Sequence, residues 1–218
     1  MIDSKVIKNF KKNGAVVLRG VFSDWITNLR AGVEKLILNP SPRERSYKPE
    51  DGTAPFFQDL CNWRRIDDFE KFITQSNISE IATKLMDSNY ARFFHDHVLV
   101  KEPGSSIVTP WHQDQPYYCL EAKKNVSFWI PLDKIDSKKS LKCISGSHLW
   151  GKIHKPKRFN GEDLYENDKS EEMPDIDNNI HEYEVLNWEL TPGDAIAFNF
   201  KVIHGADANL NNISRRRV

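Results

Sequence analysis

The chain has 218 residues, with 31 Lys and Arg balanced by 31 Asp and Glu, and carries six Trp, six Tyr and twelve Phe. Zero formal net charge argues against attachment to nucleic acid or anionic lipid by bulk electrostatics, and no apolar run approaches the roughly 20 residues of a membrane span. Three scattered cysteines and an opening without a secretory layout leave a cytoplasmic globular protein as the expectation, an enzyme or small-molecule binder with one sizeable core.

The first ninety residues read mostly as helix. Ile2, Val6, Ile7 and Phe10 fall at helical spacing, and Gly14 and Gly20 bracket a short strand over 15–18. Ser23 is the expected cap of a helix whose apolar face is Trp25, Ile26, Leu29, Val33, Leu36 and Ile37, stopped by Pro40. Asn77 and Glu80 resemble a capping box for a helix carrying Ile78, Ile81, Ala82 and Leu85.

From about residue 89 the apolar period becomes two. Residues 91–101, 125–133, 141–145, 182–190 and 194–204 read as strands, punctuated by Pro103-Gly104, Ser145-Gly146 and Pro192-Gly193. Helices followed by many short strands predict one mainly β domain over 1–218, a sandwich or jelly roll at 91–218 with a helical flank at 1–90. The stretch 151–181 interrupts this core. It is basic at Lys152, His154, Lys155, Lys157 and Arg158, then acidic from Glu162 to Asp177. A solvated loop is its plainer reading, and a lid whose basic arm meets an anionic substrate is the functional one.

The sharpest chemical signal is Trp111-His112-Gln113-Asp114. On an extended strand residues i and i+2 share a face, so His112 and Asp114 can enter one cavity as two-thirds of a two-His-one-carboxylate iron site. Alone, His-x-Asp is weak, and a surface turn between Pro110 and Pro116 accounts for it more often. His204 ends the run 194–203, where a histidine is more often core than ligand, and Gly205 permits close backbone approach. Arg215 could clamp a carboxylate bidentately, or belong to a solvated Arg215-Arg216-Arg217 terminus. Phe56, Phe57, Trp63, Trp111, Tyr117 and Tyr118 are plausible cavity walls, with core packing the commoner role.

Together His112-Gln113-Asp114, the stretch 128–133, Gly146-Ser147-His148, Pro192-Gly193-Asp194 and His204-Gly205 followed by Arg215 resemble the phytanoyl-CoA dioxygenase family of Fe(II)/2-oxoglutarate-dependent oxygenases. The resemblance runs from about Phe93 to Arg217. It implies a double-stranded β-helix, a cupin-like jelly roll. It also implies His112, Asp114 and His204 as iron ligands, Arg215 on the far carboxylate of 2-oxoglutarate, and Gln113, Trp129 and His97 as further cosubstrate contacts. The implied reaction hydroxylates a small organic metabolite while 2-oxoglutarate and O2 become succinate and CO2. Related halogenases carry a small residue in place of the carboxylate, so Asp114 favours hydroxylation. The resemblance further implies a closing strand after the arginine. The sequence stops at Val218, so that strand is expected to be missing and Arg215 poorly held.

Two readings from other classes stay open. One is a non-catalytic jelly-roll binder. The other is a cupin-type metalloenzyme using His95, His97, Glu102 and His204, although the glycines that flank such a pattern are absent.

Overall fold

Asp3 accepts the Lys5 amide N–H at 3.0 Å, and Gly14, at φ +77°, ends the helix that follows, so α1 spans Ser4–Asn13. The computed structural model describes residues 2–158, 161–210 and 215–218. After α1 come β1 (Ala15–Leu18), α2 (Ile26–Leu38), β2 (Phe56–Leu60), α3 (Asp67–Gln75) and α4 (Ile78–Met86). The remaining strands are β3 (His97–Lys101), β4 (Thr109–His112), β5 (Ser127–Trp129), β6 (Lys142–Ile144), β7 (Val185–Leu186), β8 (Ala195–Phe198), β9 (His204–Ala206) and β10 (Arg216–Arg217). Among the described residues no helix is long and apolar enough to cross a membrane.

Several elements differ from the sequence expectation. Ser23 does not cap α2: its hydroxyl donates to the Gly20 carbonyl within a 3-10 turn, and the helix starts at Ile26. Asn77 precedes α4 without a side-chain cap bond, and Glu80 pairs with Lys84 one turn on instead of reaching back. The run 194–204 is two strands. Val202 N–H donates to the Asn199 carbonyl at 2.9 Å, so the chain reverses and His204 opens β9. Gly193 lets its turn dock: a Cβ there would meet Ser23 Oγ at 2.4 Å, and φ is +103°.

The strands are antiparallel and ordered β1-β8-β5, β10-β3-β2 and β4-β9-β6-β7. Leu132 N–H donates to the Arg217 carbonyl at 2.9 Å and joins the first group to the second. Together with the four-stranded sheet they form the two layers of a double-stranded β-helix. The first ninety residues are therefore more than a helical flank, because β1 and β2 are strands of the core. The α2 and α3 faces, through Leu29, Val33, Leu36, Phe69 and Phe72, pack in one cluster with Val16, Leu18 and Val100.

The edge expected to stand open is covered. Arg216 pairs with Lys101 and Arg217 with Val100, and Leu99 and Val218 exchange both main-chain hydrogen bonds, at 3.1 and 2.9 Å. The expectation of a missing strand and a loosely held Arg215 is thus corrected.

The described part of 151–181, which excludes 159–160, folds on itself. Lys152 pairs with Glu171 at 2.8 Å, Lys155 with Glu172 at 2.7 Å and Lys157 with Glu172 at 3.0 Å. Three lysines of the basic arm thus pair with its own acidic arm. Exposed pairs of this kind stabilise little. Burial of Ile176 beside Trp111 and the Trp111 Nε1–H donated to Asp177 Oδ1 at 2.8 Å hold the segment down.

Candidate metal centre

Antiparallel pairing of β4 with β9 sets His112 opposite His204, and the two rings lie 4.2 Å apart between centroids. Gly205 permits this. A Cβ there would sit 3.0 Å from the Thr109 carbonyl oxygen and 3.4 Å from the Trp111 ring. Past His112 the chain leaves the strand. Asp114, at φ −72° and ψ −36°, starts a 3-10 turn that the Gln115 N–H anchors to the Phe200 carbonyl at 2.9 Å. A strand followed by a turn, rather than alternation along one continuous strand, brings the carboxylate back to the imidazoles.

Asp114 Oδ1 stands 3.7 Å from His112 Nε2 and 3.5 Å from His204 Nε2. One donor atom from each residue lies within 4.8 Å of the others, the only such group of three among the described residues. Each imidazole has its tautomer set by the carbonyl two residues before it. His112 Nδ1–H donates to the Pro110 carbonyl at 2.8 Å and His204 Nδ1–H to the Val202 carbonyl at 2.9 Å, because a carbonyl can only accept. Both Nε2 lone pairs are left for a metal. Burial pushes the His112 pKa well below its ordinary value, and His204 beside it adds to the shift. Ser127 Oγ donates to Asp114 Oδ2 at 3.1 Å and leaves Oδ1 facing the histidines. Two imidazoles that aim Nε2 at a common point with one carboxylate form the donor set that suits Fe(II).

A model of the family described as phytanoyl-CoA dioxygenase (PhyH) matches residues 10–217. The chain belongs to the phytanoyl-CoA dioxygenase family. No curated protein sequence matches it. Solved structures do. The 2-oxoglutarate-dependent carbocyclase SnoK of nogalamycin biosynthesis is similar at TM-score 0.76 and 19% identity, over 99% of this chain and 81% of that one. The epimerase SnoN, in complex with Fe3+, alpha ketoglutarate and nogalamycin RO, gives 0.74 and 18%, over 98% and 79%. EctD from S. alaskensis, with 2-oxoglutarate and 5-hydroxyectoine, gives 0.75 and 16%, over 99% and 74%. At these identities the likeness is one of fold.

The structure distributes the other expected family residues unevenly. Trp129 lines a cavity of about 20 Å3 together with Phe56, Leu99, Lys101, Thr109, Ala206 and Val218. His97 is accessible to water yet surrounded by protein. Burial first, and then His95, push its pKa down to about 4 against the pull of Asp114 and Asp59. It therefore feels the charge of the triad. Gln113 is turned elsewhere and is 1% exposed. Its Oε1 accepts the His154 N–H at 3.0 Å, and its Nε2 donates to the Lys201 and Lys152 carbonyls at 2.8 and 3.2 Å. That amide clamps backbone at Lys152, His154 and Lys201.

Arg215 is likewise engaged away from the triad, donating to Glu102 Oε2 at 2.8 Å and Glu34 Oε1 at 2.9 Å. The cupin-like set of His95, His97, Glu102 and His204 does not assemble, because Glu102 is committed to Arg215 and His204 to the triad. Sequence reasoning missed Ser127. A lone hydroxyl in a short strand carries no local signal. Tyr117 and Tyr118, named only as possible walls, lie beside the triad, with the Tyr117 ring 5.8 Å from that of His112. The Tyr117 hydroxyl bonds the Lys157 main chain at 2.8 and 3.0 Å, and Tyr118 stacks edge-on with Phe94, His95 and Phe200.

Proposed function

We propose that the chain is an Fe(II)- and 2-oxoglutarate-dependent oxygenase that hydroxylates a small organic molecule. The observation that carries this reading is the convergence of His112, Asp114 and His204 with both Nδ1 atoms already spent on backbone carbonyls. Iron and 2-oxoglutarate, when bound, supply the oxidising power: 2-oxoglutarate and O2 become succinate and CO2 as a substrate C–H bond is oxidised.

The chain's own residues do the rest. His112 and His204 present their Nε2 atoms, and Ser127 holds the Asp114 carboxylate in register. That carboxylate fills the place a halogenase leaves to chloride, which favours hydroxylation. The edge-on rings of Tyr118, Phe94 and His95 beside the triad give an apolar wall for the substrate and limit water. Three free cysteines suit the reducing cytoplasm expected for such an enzyme.

Anaerobic addition of Fe(II) and 2-oxoglutarate should give a weak visible charge-transfer band that His112→Ala abolishes, with succinate released once air is admitted. Absence of both band and succinate overturns the reading. A band without succinate for any of a panel of small organic substrates identifies a binding protein instead.

A further inference from the structure

Behind the metal strand lies a cavity that the triad does not use. Ile144 pairs with Val185 and the Ser145 N–H donates to the Glu184 carbonyl at 2.9 Å, so β6 and β7 hold the two ends of the 151–181 segment together. Beyond that pairing the Trp150 and Tyr183 rings lie 6.0 Å apart between centroids, tilted by 38°. Lys152, His154, Glu171 and Glu172 complete a cavity of about 280 Å3 with them. It sits on the far side of β4 from the metal donors. Gln113 Oε1 takes the His154 N–H, and Trp111 and Tyr183 pack on one apolar cluster, whereas His112, between Trp111 and Gln113, faces His204.

His154 is the one buried residue of that wall, at 3% exposed. Its Nδ1–H donates to the Glu172 carbonyl at 3.0 Å, which makes Nε2 an acceptor, and Nε2 has no partner. A buried acceptor without a donor is costly, so this floor calls for an O–H or N–H. Charge narrows the ligand further. Lys152 holds Glu171 at 2.8 Å, and Lys155 and Lys157 both hold Glu172, at 2.7 and 3.0 Å. Carboxylates already neutralised offer a free cation little, while their oxygens turn away an anion. What remains is a neutral molecule with an apolar face for the indole and several hydroxyls for the charged rim. A planar heteroaromatic would also stack on Trp150, but it carries few groups to reach rim and floor together. The volume equals the liquid share of about nine waters and lies at the small end of ligand pockets, which suits one six-membered ring.

We propose that this cavity is a second small-molecule site and that it binds a single pyranose. The apolar face of the sugar lies on Trp150, one hydroxyl donates to His154 Nε2, and others bridge Lys152, Glu171 and Glu172 at the rim. The site is separate from the metal centre and does not rest on the oxygenase reading.

Saturation-transfer NMR observed on the ligand decides it. The full chain is titrated with the methyl pyranosides of glucose, galactose and mannose. Adenine, tetramethylammonium and methyl phosphate stand for the other chemistries. At least one pyranoside should saturate at a millimolar Kd and bind more tightly than all three alternatives. Trp150→Ala should weaken it at least about tenfold. His154→Asn keeps an N–H for the Glu172 carbonyl and removes the Nε2 acceptor, and should weaken it about fivefold, the worth of one hydrogen bond. Both variants should bind Mn(II) as the unaltered protein does, because the triad faces away from the cavity. A variant that loses Mn(II) as well is set aside as misfolded, and Trp150→Leu and Lys152→Met, which should weaken the pyranoside likewise, are read in its place. Binding of none of the pyranosides, tighter binding of any alternative, or unchanged pyranoside binding in any variant that keeps Mn(II) overturns the proposal.

Discussion

Gln113 Oε1 accepts the main-chain N–H of His154 at 3.0 Å, so the residue between two metal donors is also the anchor of the 151–181 segment. Its Nε2 meets the Lys201 and Lys152 carbonyls. One buried amide thus ties two stretches of backbone, at 152–154 and at Lys201, to the strand that carries His112. Gln113→Leu keeps the volume and strands those groups, each at a cost of about 1–3 kcal/mol where water cannot replace the bond. We expect urea unfolding to show a loss of about 2–4 kcal/mol, with faster proteolysis within 151–181. An unchanged unfolding midpoint would show that water substitutes fully for the amide.

Ser127 Oγ donates to Asp114 Oδ2 at 3.1 Å. Ser127→Ala frees the carboxylate to rotate. Loss of a group that orients a metal ligand commonly costs about 10- to 100-fold in affinity. Titration with Mn(II) should show about a tenfold weakening in this variant, with unfolding stability within about 1 kcal/mol of the parent.

The distance between β4 and β9 sets the metal geometry, and Gly205 sets that distance. In Gly205→Ala the added methyl meets the Thr109 carbonyl at 3.0 Å and the Trp111 ring at 3.4 Å, so the strands must part. Overpacking of this kind costs about 1–3 kcal/mol. Both the melting temperature and Mn(II) affinity should fall together. A drop in stability with full metal affinity would show that the strands part elsewhere.

His97 gives a pH dependence with a definite sign. Its pKa is about 4 in the folded protein against an ordinary 6.5, so between those values the unfolded chain binds more protons. Stability therefore rises with pH across that window and is lost as pH falls from about 6.5 towards 4. Metal-free protein should melt at progressively lower temperature over that range. His97→Gln should flatten part of the slope. An identical slope in the variant would assign the effect to other groups.

Much of this site was legible as a set of residue types in order. His112, Asp114 and His204 were nameable because an imidazole and a carboxylate two apart, a distant histidine and a following glycine are what iron coordination between two close strands requires. The strand-rich character of the second half was legible as well, since period-two patterning reports a pleated surface directly. The extent of each strand was less legible. The run 194–204 is apolar throughout, and nothing local in it marks the reversal at 199–202.

The sequence by itself therefore determined the donor chemistry, the family and a jelly roll. Tertiary structure alone decided which side each residue serves. Alternation places Gln113 opposite His112 but does not say which of them looks inward. It fixes the spacing of Arg215 and Arg217 but cannot know that Glu34 of α2 and Asp133 wait on their side. Lys101 and Thr109 meet only because β3 and β4 come together in the folded chain, which no short-range pattern records. Side-chain type is written residue by residue, whereas the direction a side chain faces depends on what packs against both sides of its strand.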